Sequence, residues 1–231
     1  MTRGDSMSDY FVLNGENSLD IGIHISNLPT ITRATIRNER NIIAGRNGTT
    51  RTSDETQEDK VRTIGGYFQG EPDLFFNFIK PGKITFSNQL DRYFTCDVDD
   101  EIILNPLFDD WYEFSITFVL NPLSYLYDGD ETITLTESST IVGKGNVNSK
   151  PYIKVIGNGT ITLTINSESI TLNNVDGYIE LDSEEQECFK DGVRKNRQMI
   201  GEFPTLNTSS NTVSWSGRVT KIEIIPRWRC S

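Results

Sequence analysis

The sequence predicts a mainly β protein of two domains: an N-terminal β-rich domain with one helix, then a C-terminal β-sandwich. Three observations carry the prediction. Short runs of Thr, Ile, Val, Phe and Tyr recur along the 231 residues between Gly, Asn, Asp and Pro, the pattern of strands joined by turns. One segment alone, EPDLFFNFIKPG (71–82), carries helical start and stop signals. Past the turn cluster LYDGDE (126–131) the strands become regularly spaced, and in TITLTI (160–165) threonines alternate with Ile161, Leu163 and Ile165. The domains are therefore expected at 1–127 and 128–231. A hydrophobic fraction of 35% and a mean hydropathy of −0.41 suit architectures in which every second strand residue faces water.

The elements follow in order. Asn14-Gly15 in YFVLNGEN is a two-residue hairpin signal. LDIGIHISNLP reads as a strand ending before Pro29, with His24 alternating against Ile23 and Ile25; TITRATIRNERNII reads as one long strand or a strand pair. Residues 45–66 are polar and charged and read as an extended loop or a projecting hairpin. In the helix, Pro72 suits the first position and Asp73 the positive end of the dipole, while Pro81-Gly82 stops it. Its apolar stripe is Leu74, Phe75, Phe78 and Ile79. KITFSNQLDRYFTCDV predicts a hairpin turning at Ser87-Asn88, and WYEFSITFVL a half-buried strand with Tyr112, Phe114, Ile116 and Phe118 on one face.

Charge and composition exclude several functions. The net charge is −11, and the first 125 residues hold 19 acids against 11 bases. A protein that grips nucleic acid needs a basic stripe to release counterions, so tight nucleic-acid binding is not expected. No apolar run approaches the roughly 20 residues that span a bilayer, so membrane insertion is not expected. The opening MTRGDSMSDY lacks the apolar segment of a secretory signal, and Met7 offers a second start that would make Met1–Ser6 a dispensable tail. The Arg3-Gly4-Asp5 triplet within it is short enough to arise by chance. Cys96, Cys188 and Cys230 are odd in number and far apart, which excludes a full disulfide framework and fits reduced thiols.

Chemistry is hard to build from these residues. His24 is the sole histidine, so serine and cysteine triads lack a base and a histidine metal site lacks partners. Asp109-Asp110, or the acids of DVDDE (97–101), are the carboxylates a glycosidase would need, and they also read as solvated loop. DVDDE resembles a fragment of a calcium loop, but Ile102 stands where such a loop turns on glycine. GKGN (143–146) lacks phosphate-loop spacing, and the sequons at Asn47, Asn158 and Asn207 need a secretory route. No catalytic residue, metal or cofactor is expected. Carbohydrate binding has more support: Tyr152, Tyr178 and Trp215 are aromatics a sandwich can present to sugar rings, although Trp215 alternates with Val213 and so reads first as core.

Three stretches together resemble the distal tail (Dit) protein family of siphophages. They are FVLNGENSLDIGIHISNLPTI, then FFNFIKPGKITFSNQLDRYFTCDV with FSITFVLNPLSYLYDGD, and finally the series YIKVIGNGTITLTIN, GYIELDSEEQECF, FPTLNTSSNTVSWSG and IEIIPRWR. The resemblance implies a non-enzymatic virion component, made in the bacterial cytoplasm and placed at the tail tip. N-terminal domains would close a homohexameric ring, and galectin-like sandwiches would project from it. The ring would join the tail tube protein to the tail-tip protein, anchor receptor-binding parts and leave a DNA channel whose lumen is expected to be acidic. The final strand near 222–231 would return to the N-terminal domain. The loop 45–63 becomes a candidate contact arm to subunits or tube through Arg46, Arg51, Asp54, Glu55, Glu58, Asp59 and Arg62. In KITFSNQLDRYF, Phe86, Tyr93 and Phe94 become core or contact residues, and Asp91 and Arg92 an ion pair or surface. A carbohydrate-binding adhesin contacting glycan through Tyr152 and Trp215 is the alternative.

Overall fold

The computed structural model describes residues 9–45 and 47–231 and divides into two compact units: residues 1–124 with Ser231, and 125–230. The tail Met1–Ser6 and its Arg-Gly-Asp triplet lie outside the described residues.

The first unit opens with strands β1 (Phe11–Leu13) and β2 (Glu16–Asn17), joined by Asn14 at φ 52 and Gly15 at φ 91. Two consecutive positive φ values are what a tight turn matching the strand twist requires, and Asn-Gly supplies them. Strand β3 (Ile23–Ile25) buries both isoleucines and leaves His24 outside. Strands β4 (Ile36–Ile42) and β5 (Thr49–Gln57) form a ribbon that pairs with no other strand among the described residues. The chain then enters β6 (Lys60–Gln69), helix α1 (Pro72–Phe78), β7 (Gly82–Phe86), β8 (Arg92–Asp97), β9 (Ile103–Phe108) and β10 (Trp111–Leu120). The sheet order is β2-β1-β7-β8-β10-β6-β3, with β9 also on β10. Gly66 lets β3 close on β6, since a Cβ there would stand 2.1 Å from the His24 carbonyl oxygen.

Two expectations are corrected here. Residues 60–66 are not part of a polar loop: they begin β6, which pairs with β10 along its whole length, from Lys60↔Leu120 to Gln69↔Trp111. The charged composition concealed a strand because its alternate residues Val61 and Thr63 face water. On α1 only Phe75 and Phe78 are buried, with Ile79 just past the end, while Leu74 is 46% and Phe76 42% exposed. A helix of two turns buries a single i, i+3 stripe, so its flanking apolar residues stay outside.

Phenylalanine fills this core. Phe75 lies 5.0 Å from Phe68 and 5.1 Å from Phe114 between ring centroids, and Phe11 lies 5.8 Å from Phe118 and 5.9 Å from Phe78. These tilted and edge-on pairs are the arrangements the ring quadrupole favours. The hairpin β7–β8 contributes Ile84, Phe86, Tyr93 and Phe94, all buried, and pairs through Ile84↔Phe94.

The second unit is a β-sandwich. After β11 (Ser124–Leu126), β12 (Ile133–Leu135) and β13 (Ser139–Val142) come the long strands β14 (Tyr152–Ile165) and β15 (Glu168–Asp182). Then follow β16 (Glu187–Lys190), β17 (Val193–Arg194), β18 (Met199–Ile200), β19 (Ser210–Ile225) and β20 (Arg229–Cys230). The order is β12-β19-β14-β15-β16-β17, with β13 also on β19 and β18 on β15. The three long strands break register near their midpoints, between Gly159 and Ile161 and between Asn158 and Thr162. Glycines mark this line: Gly159 and Gly177 hold φ of 83 and 79, and a Cβ on Gly157 would sit 2.3 Å from the Arg218 carbonyl oxygen. Bulges and glycines of this kind bend strands. Both halves of each strand then serve one aliphatic core, which joins Ile153 and Val155 to Ile161 and Leu163 and Ile222 to Val213.

Trp228 is 2% exposed in that core, and β20 pairs with β11. Arg227 donates two hydrogen bonds to Asp182, at 2.7 and 2.9 Å. Burial works to raise the Asp182 pKa, but Arg227 and the backbone N–H groups of Glu185 and Glu184 override it and hold the carboxyl below its ordinary value.

Candidate assembly surfaces

Three surfaces merit a functional reading, and the first is the ribbon β4–β5. Its register runs from Ile36↔Gln57 to Ile42↔Thr49, and the Glu58 N–H donates to the Thr35 carbonyl at its base. Of the predicted arm residues, Arg46 lies outside the described residues, and for Arg51, Asp54 and Glu55 only the strand β5 that carries them is described. Glu58 and Asp59 are exposed in the turn between β5 and β6. Arg62 is not on the arm at all; it projects from β6, donates to the Val61 carbonyl at 2.8 Å and bonds the Thr32 hydroxyl. An isolated two-stranded ribbon is marginally stable in water.

The second surface is the edge strand β9. Its residues Ile103, Leu107 and Phe108 are 53%, 49% and 65% exposed, and β10 is its sole strand partner among the described residues. Phe108 stacks on Trp111 at 6.3 Å, and Trp111 stacks on His24 at 6.1 Å, so the solitary histidine ends an aromatic row. Pro106 lacks an N–H and so suits an edge. The sequence reading missed this strand because Pro106 interrupts ILNPLF; proline in an apolar run was the available signal of an edge strand.

The third surface is the outer face of the sandwich. The Tyr178 hydroxyl donates to Asp191 at 2.6 Å, which raises its pKa, and the Lys154 ammonium sits 4.0 Å from the Tyr178 ring centroid. Tyr152 packs against Phe189 at 6.0 Å, with burial first and Glu180 second pushing its hydroxyl pKa upward. Trp215 is half-buried against the core. Tyr152 opposes Ile225 at one end of the β14–β19 ladder, whereas Trp215 opposes Leu163 beyond the bend. The two are therefore not brought together as one sugar platform.

The carboxylates singled out earlier are scattered. Asp109 (φ 49) and Asp110 form the exposed β9–β10 turn, and exposed Asp97 ends β8, followed by half-buried Val98 and the exposed residues Asp99 to Glu101. No cluster of three or more His, Cys, Asp or Glu side chains able to hold a metal occurs among the described residues. No helix is long and apolar enough to cross a membrane among the described residues. None of the three cysteines forms a disulfide, and all three are buried. Asp91 and Arg92 form an ion pair at 2.8 Å, whose hydrogen bond holds Asp91 below its ordinary pKa.

No family model matches the chain, and no curated protein matches it. Among solved structures it is similar to the SPP1 Dit protein (gp 19.1), described as a paradigm of the hub adsorption apparatus in Gram-positive infecting phages. The TM-score is 0.71 at 12% sequence identity, and the match covers 94% of this chain and 98% of that one. Such coverage takes in both units in their order along the chain. The chain therefore has the fold of a phage Dit hub protein.

Proposed function

We propose that this protein is a non-enzymatic structural component of a phage tail tip. Residues 1–127 act as the ring-forming part and 128–231 as a projecting sandwich. Six copies form a ring that joins the tail tube to the tail-tip protein and the host-adhesion parts and leaves a passage for DNA. The observation that carries the reading is the Dit likeness over nearly the whole of both chains. Two features of the first unit support it. Strand β9 leaves Ile103, Leu107 and Phe108 uncovered along a free edge, a surface that invites another chain. The ribbon β4–β5 has no strand partner of its own among the described residues, so a neighbouring subunit or the tube would stabilise it. The net charge of −11 suits a passage that phosphates traverse without sticking.

The test is native mass by light scattering over a concentration series, with negative-stain images of each peak. Six-fold rings near about 157 kDa (6 × 26.1 kDa) are the expected particles. Phe108→Ser with Leu107→Asn is expected to leave a folded monomer. A wild-type chain that stays monomeric even with its tube and tip partners present would overturn the ring. Lysine in place of exposed lumen acids is expected to slow DNA ejection, measured on assembled virions.

A further inference from the structure

The sandwich unit neutralises its cations locally, with one exception. Eight of the eleven bases in residues 125–230 form ion pairs with carboxylates of that unit. Among the described residues Lys195, Arg197 and Arg218 have no such partner. Arg218 stands apart at the bend, opposite Asn158. Lys195 and Arg197 stand together: with Arg194, Asn196 and Gln198 they line one surface concavity, and all five side chains carry N–H donors. No acid occurs between Asp191 and Glu202, and the two acids of the adjoining β16–β17 hairpin are already engaged. Asp191 accepts from the Tyr178 hydroxyl at 2.6 Å, and Glu187 pairs with Arg194 at 2.6 Å.

Two further observations separate this segment from an ordinary solvated turn. Its backbone is fixed. The Lys195 N–H donates to the Cys188 carbonyl, the Cys188 N–H donates to Asn196 Oδ1, and Gln198 Nε2 donates to the Asn174 carbonyl, at 2.6, 2.6 and 3.2 Å. A cationic surface held in place in this way loses little freedom when a partner arrives. Its ends are apolar. Val193 and Ile200 are 56% and 64% exposed, two of the four large apolar side chains that this unit leaves in water. A hydrophilic polyanion gains nothing from them, and the net charge of −11 repels a long one. A protein segment can bury them beside its own carboxylates.

We propose that residues 193–200 form a docking surface for an acidic segment of a partner protein. Carboxylates of that segment pair with Lys195 and Arg197, the Arg197 guanidinium offering the planar fork that a carboxylate matches. Apolar side chains of the same segment cover Val193 and Ile200. The proposal stands independently of the tail-tip reading, because it rests on the surface chemistry of the sandwich alone.

The experiment measures, by fluorescence anisotropy, binding of the full chain to a labelled synthetic peptide in which glutamates alternate with leucine and valine. Saturable binding that weakens with added salt is expected. Lys195→Glu with Arg197→Glu should weaken it roughly tenfold or more. Lys80→Glu with Arg218→Glu changes the net charge equally and should leave it unchanged. Serine in place of the leucines and valines of the peptide, or Val193→Ser with Ile200→Ser in the protein, should each weaken binding about threefold or more. If the charge reversal does not fold, Arg197→Gln carries the comparison with a smaller loss. Polyphosphate and vesicles of anionic lipid are tested in parallel. Binding of either that matches the peptide, and is lost in the same variant, overturns the assignment to a protein segment. No binding of the peptide, or a loss that both charge variants share alike, overturns the docking surface.

Discussion

The two units solve the same problem, burying one face of curved β structure, with different side chains. The first fills its core with phenylalanine: Phe11, Phe68, Phe75, Phe78, Phe86, Phe94, Phe114 and Phe118 all belong to it. The buried core of the sandwich holds none, and Trp228 is the sole aromatic among its isoleucines, leucines and valines. The surfaces differ in parallel. Large exposed apolar side chains are frequent in the first unit, from Leu74 and Phe76 on the helix to Ile103, Leu107 and Phe108 on β9. In the sandwich unit they are fewer: Tyr127, Val142, Val193 and Ile200. An aliphatic sandwich whose strands serve both layers closes on itself. The aromatic unit leaves apolar surface uncovered, and the proposed assembly role of that unit rests on this difference.

The largest effects should come from the cores. Phe75→Ala, between Phe68 and Phe114, is expected to cost about 3–5 kcal/mol. Leu172→Ala in the sandwich should cost about 2–5 kcal/mol. Calorimetry should show each variant lowering the transition of its own unit. A single transition that both variants shift alike would break the comparison, since the units would then fold as one.

Next in size is the closing segment of the sandwich. Arg227→Met leaves Asp182 without its bidentate partner and is expected to cost about 2 kcal/mol, less than a fully buried pair because the Arg227 side chain remains 26% exposed. Asp182 is held below its unfolded value of 3.8, so its stabilisation is present above that pH and lost as pH falls through the folded value. Urea titrations of wild type and variant should therefore converge in acid. A constant gap down to the lowest pH would assign the loss to packing of the arginine stem.

One property should be common to both units. Burial pushes the Cys96 and Cys188 thiols up to about 11 from 9.0. The folded state keeps them protonated while the unfolded chain ionises, so stability holds below pH 9.0 and falls as pH rises toward about 11. The effect is on the order of 1 kcal/mol per thiol, and Cys96→Val or Cys188→Val should flatten the alkaline limb by one share each. The smallest effect is the most discriminating. Phe108→Ser should change the stability of the isolated chain by about 0.5 kcal/mol or less, since its ring is mostly in water. A large loss would mean that Phe108 already has an intramolecular role and is no docking residue.

Much of this architecture was legible in the sequence, for reasons that are local. Asn14-Gly15 demands a tight turn, Pro72 and Pro81-Gly82 delimit a helix, and the alternation through Ile161, Leu163 and Ile165 gives a dry face. What stayed hidden depends on tertiary surroundings. Lys60 opens β6 with a charge, and only the packing of Phe94 and Leu120 around it explains its burial. Leu74 obeys the helical stripe rule and is exposed, because α1 is too short to present a wide face. Strand β9 is exposed on most of its length, so no alternation announced it.

The glycine line across β14, β15 and β19 bears on how the sandwich carries load. In a sandwich of separate sheets, a pull that parts the layers is opposed mainly by side-chain packing. Here each long strand runs from one layer into the other, so the layers are joined three times by covalent backbone. Tension along those strands loads the β14–β15 and β14–β19 ladders in shear, with many hydrogen bonds strained together instead of one at a time. A sandwich built this way gains toughness from backbone continuity itself.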